Sequence, residues 1–492
     1  MARKGRGQGP AGESDARRRP AAGSAAQRRA AAARTAGRRP AAESDALGSA
    51  RRAVESAGRV KVAITDVDGI LRGKYLHPAK WSSAAESGFG FCNVVFGWDA
   101  ADVCYDNATY TGWQTGYPDA LARLDLGTLR SVPWDAGVPF FLADFEDGAG
   151  RPLPVCPRQL LKGVVARAAA QGLSATCGME FEWFNFQETP ESWAAKGYRA
   201  PHPLTPGMFG YSLLRAGRSQ PFFQALMEEL TAFRVPLEGL HTETGPGVFE
   251  AAILYSDALE AADRAVLFKS SVKEIGRRFD IMPSFMAKWS SDLPGCSGHL
   301  HQSLWRGGTN LFHDERDPLR MSATFKSYLA GLLKCLPEIL PFFAPTVNSY
   351  KRLVDGYWAP TKVTWGLDNR TVAFRVIPGT PKSTRVEIRV TGSDVNPYLA
   401  IAAATAAGLY GVEHGLPLEA SPVVGSAYLV KDAERLPRTL QEATQRLSDS
   451  ALARELLGDA FVDHFVRTRQ WEWRQFQDAV TSWELQRYFE II

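Results

Sequence analysis

Four short segments constrain this chain more than any other feature, because each sets ionisable side chains two residues apart between apolar or glycine neighbours. Residues 178–183 carry Glu180 and Glu182, separated by Phe181 and followed by Trp183. Residues 294–303 carry His299 and His301, after Gly295 and Gly298. Residues 385–389 alternate Arg385, Glu387 and Arg389 with Val386 and Ile388. In the fourth segment, Gly245-Pro246-Gly247 can reverse the chain between Glu243 and Glu250. Alternate residues of a strand share a face. These segments therefore predict strands whose polar faces gather five carboxylates, histidines and arginines above an apolar underside. Carboxylates repel one another, and crowding them is costly without a countercharge.

That countercharge narrows the chemistry. Oxygen-rich ligation suits a hard divalent cation, Mg²⁺ or Mn²⁺. Arginines opposite such ions suit phosphate groups, and Arg370, Arg375 and Lys382 lie just upstream of the Arg385 run. There is no GxxxxGK[ST] segment, so a P-loop is excluded. The residues alone point to a metal-dependent site that handles phosphate. An ion-pair ladder is the alternative for residues 385–389.

The chain length, 492 residues, allows two to four domains with a sizeable core. No run of about 18 apolar residues predicts a membrane span. Six scattered cysteines without a CxxC pair argue against zinc modules and a disulfide framework, and suit a reducing cytoplasm. The net charge of +4 conceals a division. Residues 1–59 hold 14 Lys/Arg against 5 Asp/Glu and no aromatic residue, whereas the remainder holds 43 against 48. The body thus has no broad nucleic-acid footprint. The Ala/Arg-rich residues 1–59 read as a disordered tail.

Order is expected from about Arg59. Residues 60–67 read as a strand and residues 71–76 as its hairpin partner. Residues 60–152 form a sheet-rich segment, and Pro152-Leu153-Pro154 marks its end. Helices are expected at 160–171, ending before Gly172, at 257–278, and at an Ala-rich stretch from Asn396 to Tyr410. The class is α+β with antiparallel strands.

In this order and spacing the four segments resemble the glutamine synthetase family. The run Asn348-Ser349-Tyr350-Lys351-Arg352-Leu353-Val354-Asp355-Gly356-Tyr357-Trp358-Ala359-Pro360, then Asp368-Asn369-Arg370, Pro381-Lys382 and Asn396-Pro397-Tyr398, extend the resemblance over residues 60–492. It implies a small N-terminal β-grasp domain over 60–152 and a catalytic domain over 153–492. It also implies homo-oligomeric rings, hexamer or dodecamer, with active sites between subunits. By resemblance, Glu182, Glu243 and Glu250 hold one divalent ion, and Glu180, His299 and Glu387 hold another, of two or three in all. His301, Ser303, Arg375, Lys382 and Arg385 match positions near ATP. Gly295, Arg352 and Arg389 match positions at glutamate, and Arg370 a phosphate-stabilising one. Asp106, in residues 104–113, matches the family's ammonium-binding Asp, though Asn107 replaces the following Gly. The implied reaction activates the glutamate γ-carboxylate as an acyl phosphate and joins it to an amine or ammonia.

Two departures bear on the amine. Trp358 stands where the family's flap carries a Glu, and an indole cannot accept a proton. Pro294 replaces the family's Asn before Gly295. They favour a glutamate–amine ligase, resembling the γ-glutamylpolyamine synthetases, over an authentic glutamine synthetase, and Pro294 also removes an amide partner for the amino-acid substrate. A non-enzymatic structural relative is a third reading, disfavoured by the full set of ligand positions.

Overall fold

The computed structural model describes residues 41–492, of which residues 50–492 form one compact unit. The expected start of order moves forward. Helix α1 occupies Ala41–Ala57. Ala50 and Val54 within it are fully buried, and Arg51 lies 3.4 Å from Glu86. Averaging composition over residues 1–59 hides this helix: an apolar pair at i, i+4 in an Ala-rich stretch suffices to seat it. The expectation of disorder for residues 1–40 lies outside the described residues.

The hairpin expected at 60–76 is present. Strands β1 (Val60–Thr65) and β2 (Leu71–Leu76) pair antiparallel, and β1 runs parallel to β6 (Val138–Glu146). Strands β3 (Phe89–Cys92), β4 (Asp119–Leu124) and β5 (Arg130–Val132) complete a sheet ordered β2-β1-β6-β4-β3, with β5 also on β6. Helix α2 (Pro78–Ser87) buries Trp81, whose ring lies 5.6 Å from that of Phe141 on β6.

The junction expected at 152–153 falls just before helix α3 (Pro157–Ala170), which ends before Gly172 at φ +68°. Here the N-terminal sheet is joined to the rest by charge. Buried Arg158 donates to Asp144 on β6 (2.9 Å), to Asp125 (2.9 Å) and to Asp263 (2.8 Å). Tyr398 adds a hydrogen bond to Asp263.

The second sheet carries the four constraining segments. Its path is β14 (Trp365–Leu367), β15 (Phe374–Ile377), β16 (Arg385–Ile388), β12 (Gly298–Arg306), β7 (Ser174–Phe186), β9 (Val248–Ile253) and β8 (Leu237–Thr242). Short strands β10 (Ser256–Asp257) and β11 (Met282–Ser284) pair with β7, and β13 (Thr309–Asn310) with β12. Every pairing is antiparallel except β14 with β15.

The underside of this sheet is the core. Phe181 and Trp183 on β7 pack against Phe268 of helix α4 (Ala258–Arg277) and against Phe285. Two further helices, α5 (Ala323–Ile339) and α6 (Pro397–Glu413), cross with almost no gap. A Cβ on Gly408 would meet the Tyr328 ring at 2.0 Å, and one on Gly331 the Ala407 carbonyl at 2.3 Å. The Ala-rich composition of α6 is what lets it be buried on all sides. Helix α7 (Asp459–Asp478) then returns to the N-terminal region, where Trp471 packs on Tyr105. Among the described residues no helix is long and apolar enough to cross a membrane, and all six cysteines are free thiols.

Candidate active site

Strand register converts the sequence spacing into a site. His299 pairs with Glu180 across β12 and β7, and His301 with Glu387 across β12 and β16. Glu182 pairs with Glu250 across β7 and β9, Glu250 with His241 across β9 and β8, and Arg375 with Glu387 across β15 and β16. Paired residues of adjacent strands face the same side. The polar faces therefore form one continuous strip.

That strip floors a cavity of about 530 Å³. Glu180, Glu182, Glu243, Glu250, His299, Glu387, Arg375 and Arg389 line it, and Gly295, Trp358 and Arg370 lie at its sides. Two tight ligand groups stand out, His241 with Glu243 and Glu250, and Glu180 with His301 and Glu387. Glu182 and His299 adjoin them. Glu182 Oε2 accepts from the Ser297 amide at 2.7 Å, and His299 Nδ1 lies 3.6 Å from Glu180 and 3.4 Å from Glu387.

Charges here set one another's protonation. Burial, with Glu180 and Glu182 close by, pushes the Glu250 carboxyl up to about 9. The Glu243 and Glu250 carboxylates, 3.6 and 3.4 Å from its Nε2, push His241 up to about 10. Burial disfavours ionised Glu387, yet His299 and Arg389 hold it down at about 2. Glu180 is buried too, and His299 at 3.6 Å together with its hydrogen bond to His301 hold it well below the usual carboxylate range. Several polar atoms in this dense field have no hydrogen-bond partner: His241 Nε2, Glu243 Oε2 and His299 Nε2 are buried and unpaired. Unsatisfied imidazole and carboxylate atoms in a crowded acidic strip fit divalent cations, which accept both donor types.

The cationic side is equally fixed. Arg375 Nη1 donates to Glu387 at 2.8 Å and its Nε to Asp368 at 3.0 Å. Arg389 is buried, bonded to Glu387 and to the Arg370 carbonyl. Arg385 Nε donates to His301 Nδ1 at 3.2 Å, which leaves His301 Nε2 facing Glu180 at 3.1 Å. Arg352 lies beneath the cavity and does not line it. It is 2% exposed, donates to the Val390 carbonyl at 2.6 Å, and its side chain occupies the space a Cβ on Gly295 would need. Ser303 accepts from Trp305 Nε1 at 2.8 Å on the same strand face, beyond His301. Lys382 is exposed, away from the cavity lining. Asp106 is exposed and paired with Arg474 of α7, outside the cavity.

Five lining residues escaped the sequence reading, Thr244, Ser297 and Tyr357 as well as His241 and Tyr211. His241 lies two residues before Glu243, the spacing that marks the other segments, and the hairpin register sets it opposite Glu250. Tyr211, in an irregular loop at φ +55°, stacks on His241 with ring centroids 4.6 Å apart. No periodicity marks that loop.

The family profile described as glutamine synthetase, catalytic domain, matches residues 154–488. The chain belongs to the glutamine synthetase family. It is 58% identical to the "Type-1 glutamine synthetase 2" of Dictyostelium discoideum, over 88% of this chain and 84% of that protein. It is 36% identical to the "Glutamate--isopropylamine ligase" of a Pseudomonas species, over 88% and 95%. A solved GmaS/ADP complex superposes with a TM-score of 0.78 at 29% identity, covering 89% of this chain and 99% of that one. Membership makes the chain an ATP-dependent C–N ligase, with divalent cations as the family's general requirement.

Proposed function

We propose that this ligase joins the γ-carboxylate of glutamate to a primary organic amine, and that Trp358 selects the amine. Trp358 is 59% exposed, lines the acidic cavity, and is held at φ +60°, a region costly for a bulky side chain. An indole face there excludes water and attracts an alkylammonium by about 0.5–2 kcal/mol. It offers ammonia nothing that a carboxylate would not offer better. The Pseudomonas relative, which shares most of the chain, is named for an organic amine.

The remaining assignments follow the strip. Glu182, Glu243 and Glu250 hold one cation and Glu180, His299 and Glu387 a second, with His241 and His301 beside them. Mg²⁺ or Mn²⁺ supplies countercharge and an electrostatic clamp on phosphoryl oxygens. Arg375 and Arg385, with Lys382, His301 and Ser303, attend ATP. Arg389 orients glutamate, Arg352 supports Gly295 at that position, and Arg370 neutralises the migrating phosphoryl group. The γ-carboxylate takes the γ-phosphoryl of ATP, and the neutral amine then displaces phosphate and leaves the amide. Asp106 accepts the ammonium in a neighbouring subunit's cavity, within a cytoplasmic homo-oligomeric ring.

Glutamine synthesis from ammonia is the second reading, favoured by the 58% identical Dictyostelium relative. Phosphate release from ATP with glutamate, Mg²⁺ and a panel of amines separates the two. Turnover with organic amines and little with ammonia is expected, and Trp358→Glu should move the preference toward ammonia. Strong turnover with ammonia alone would overturn the proposal and reduce Trp358 to packing.

A further inference from the structure

Trp358 and Arg370 line two cavities at once. Beside the acidic one lies a second, of about 430 Å³, bounded by Trp358, Leu367, Pro422, Val423 and Val424 with Asp368 and Thr371 at its rim. Its outer wall is rigidly built. The Val423 amide donates to the Trp365 carbonyl at 2.8 Å, and Asn369 Nδ2 donates to the carbonyls of Val423 (3.1 Å) and Gly425 (2.8 Å). The same segment grips the flap, because Tyr428 Oη donates to the carbonyl of Ala359, next to Trp358, at 3.2 Å. Lys362 further along donates to the Tyr428 carbonyl at 2.8 Å. An apolar wall pinned this firmly still leaves Val424 95% exposed.

From these shared lining residues we propose that the second cavity is the subsite for the amine's substituent. The inference rests on the organic-amine reading and makes it specific. An ammonium engaged by the acidic cavity sends its substituent past the Trp358 indole and along Leu367, Pro422 and Val424. The volume, on the order of a dozen waters at ~30 Å³ each, admits a chain of several carbons or one ring. The charge at the wall chooses among amines. Arg370 repels a second ammonium, and Asp368 at the rim is already engaged by Arg375. The substrate class is thus a primary monoamine with an apolar alkyl or arylalkyl group, and a diamine is disfavoured.

The test compares n-butylamine, benzylamine, putrescine, methylamine and ammonia as acceptors for wild type and Val424→Asp, by steady-state phosphate release with glutamate and Mg²⁺. Val424 is a surface side chain on a hydrogen-bonded loop, so the variant should fold. Wild type should show a KM at least tenfold lower for butylamine or benzylamine than for methylamine. Val424→Asp should erase most of that difference while ammonia and methylamine kinetics stay within twofold. Val424→Trp, which fills the cavity, should restrict the enzyme to short amines. Equal effects on butylamine and methylamine, no effect on either, or putrescine preferred over butylamine would overturn the subsite while leaving the organic-amine reading intact. Turnover with ammonia alone would overturn that reading itself.

Discussion

Two places in this chain crowd acidic side chains, and they resolve the crowding in opposite ways. Around Arg158, the carboxylates of Asp125, Asp144 and Asp263 each meet the one guanidinium, and Lys162 joins Asp125 and Asp144. Among these side chains no buried polar atom is left without a partner. Along the strip of the second sheet, guanidinium groups pair with Glu387 alone and leave Glu180, Glu182, Glu243 and Glu250 without one, and His241, Glu243 and His299 keep unpaired atoms. The first arrangement is closed and joins two sheets. The second is open, with the carboxyl of Glu250 and the imidazole of His241 both pushed up by their crowded neighbours and donor atoms left for something else to bind. Internal balance marks the structural cluster, and imbalance marks the functional one.

The sharpest way to break this contrast is to remove a carboxylate from each. Glu182→Ala should lower turnover at least about a thousandfold, roughly 4 kcal/mol of barrier at 1.36 kcal/mol per tenfold. Its Tm in the absence of Mg²⁺ should stay within a few degrees of wild type, since one like charge leaves a repulsive strip. The stabilisation that Mg²⁺ gives wild type, read by thermal shift, should shrink in the variant. Unchanged turnover would remove Glu182 from the metal-binding set.

Arg158→Leu should show the reverse pattern. It strands buried Asp263 without its cation and leaves buried Asp144 with Lys162 alone, and breaking a buried ion pair from one side costs about 3–5 kcal/mol. Denaturant unfolding should report that loss. The folded fraction should retain near-normal KM for glutamate and ATP, because none of these groups lines the acidic cavity. A selective loss of kcat at unchanged stability would mean the cluster is no mere brace.

Most of the site was legible because its pattern is local. Glu180 with Glu182, His299 with His301, and Arg385 with Glu387 and Arg389 each reveal a shared face through period two alone. The long helices were legible through their ends: Asp257 caps α4 by accepting from the amides of Leu259 and Glu260, and Asn396 caps α6. What stayed hidden depends on contacts distant in sequence. His241 shares period two with Glu243, but its pairing with Glu250 comes only from hairpin register. Arg352 reads as a cavity arginine and lies beneath Gly295 instead, its stem in the space a Cβ there would need and its guanidinium donating to the Val390 carbonyl. Asp106 carries the family's spacing, yet within this chain it faces Arg474 at the surface. Its proposed role therefore belongs to an assembly of chains.

A lone buried titratable group sharpens the same comparison at smaller scale. His464 of α7 is 2% exposed with both ring nitrogens unpaired. Tyr110 packs on it edge-on, and Arg467, Arg469 and Asp68 are the charges that act on it. Burial, reinforced by the two arginines, pushes it down to about 4. Below pH 6.5 the unfolded chain binds a proton that the folded chain refuses. The stability this group contributes is therefore complete above pH 6.5 and lost as pH falls through 4. By pH 5 the loss is about 2 kcal/mol. His464→Phe should flatten the decline of Tm between pH 7 and pH 5, and an unaltered slope would assign that decline to other groups.

The smallest effects should come from the N-terminus, where charge and burial part company. Residues 1–40 carry 11 Lys/Arg against 2 Asp/Glu and no aromatic residue, so they hold little that a core could use. Deleting them should leave Tm and turnover unchanged. Val54 in α1 is fully buried despite its Ala-rich surroundings. Val54→Ala, which removes two carbons' worth of burial at about 0.8 kcal/mol each, should cost about 1.6 kcal/mol in urea unfolding. The exposed Arg51–Glu86 pair should contribute less than that. If deletion of residues 1–40 lowered stability as much as Val54→Ala does, the boundary between tail and fold would lie upstream of α1. If Val54→Ala were silent while the deletion was also silent, α1 would pack too loosely to count as part of the core, and the fold would begin at β1.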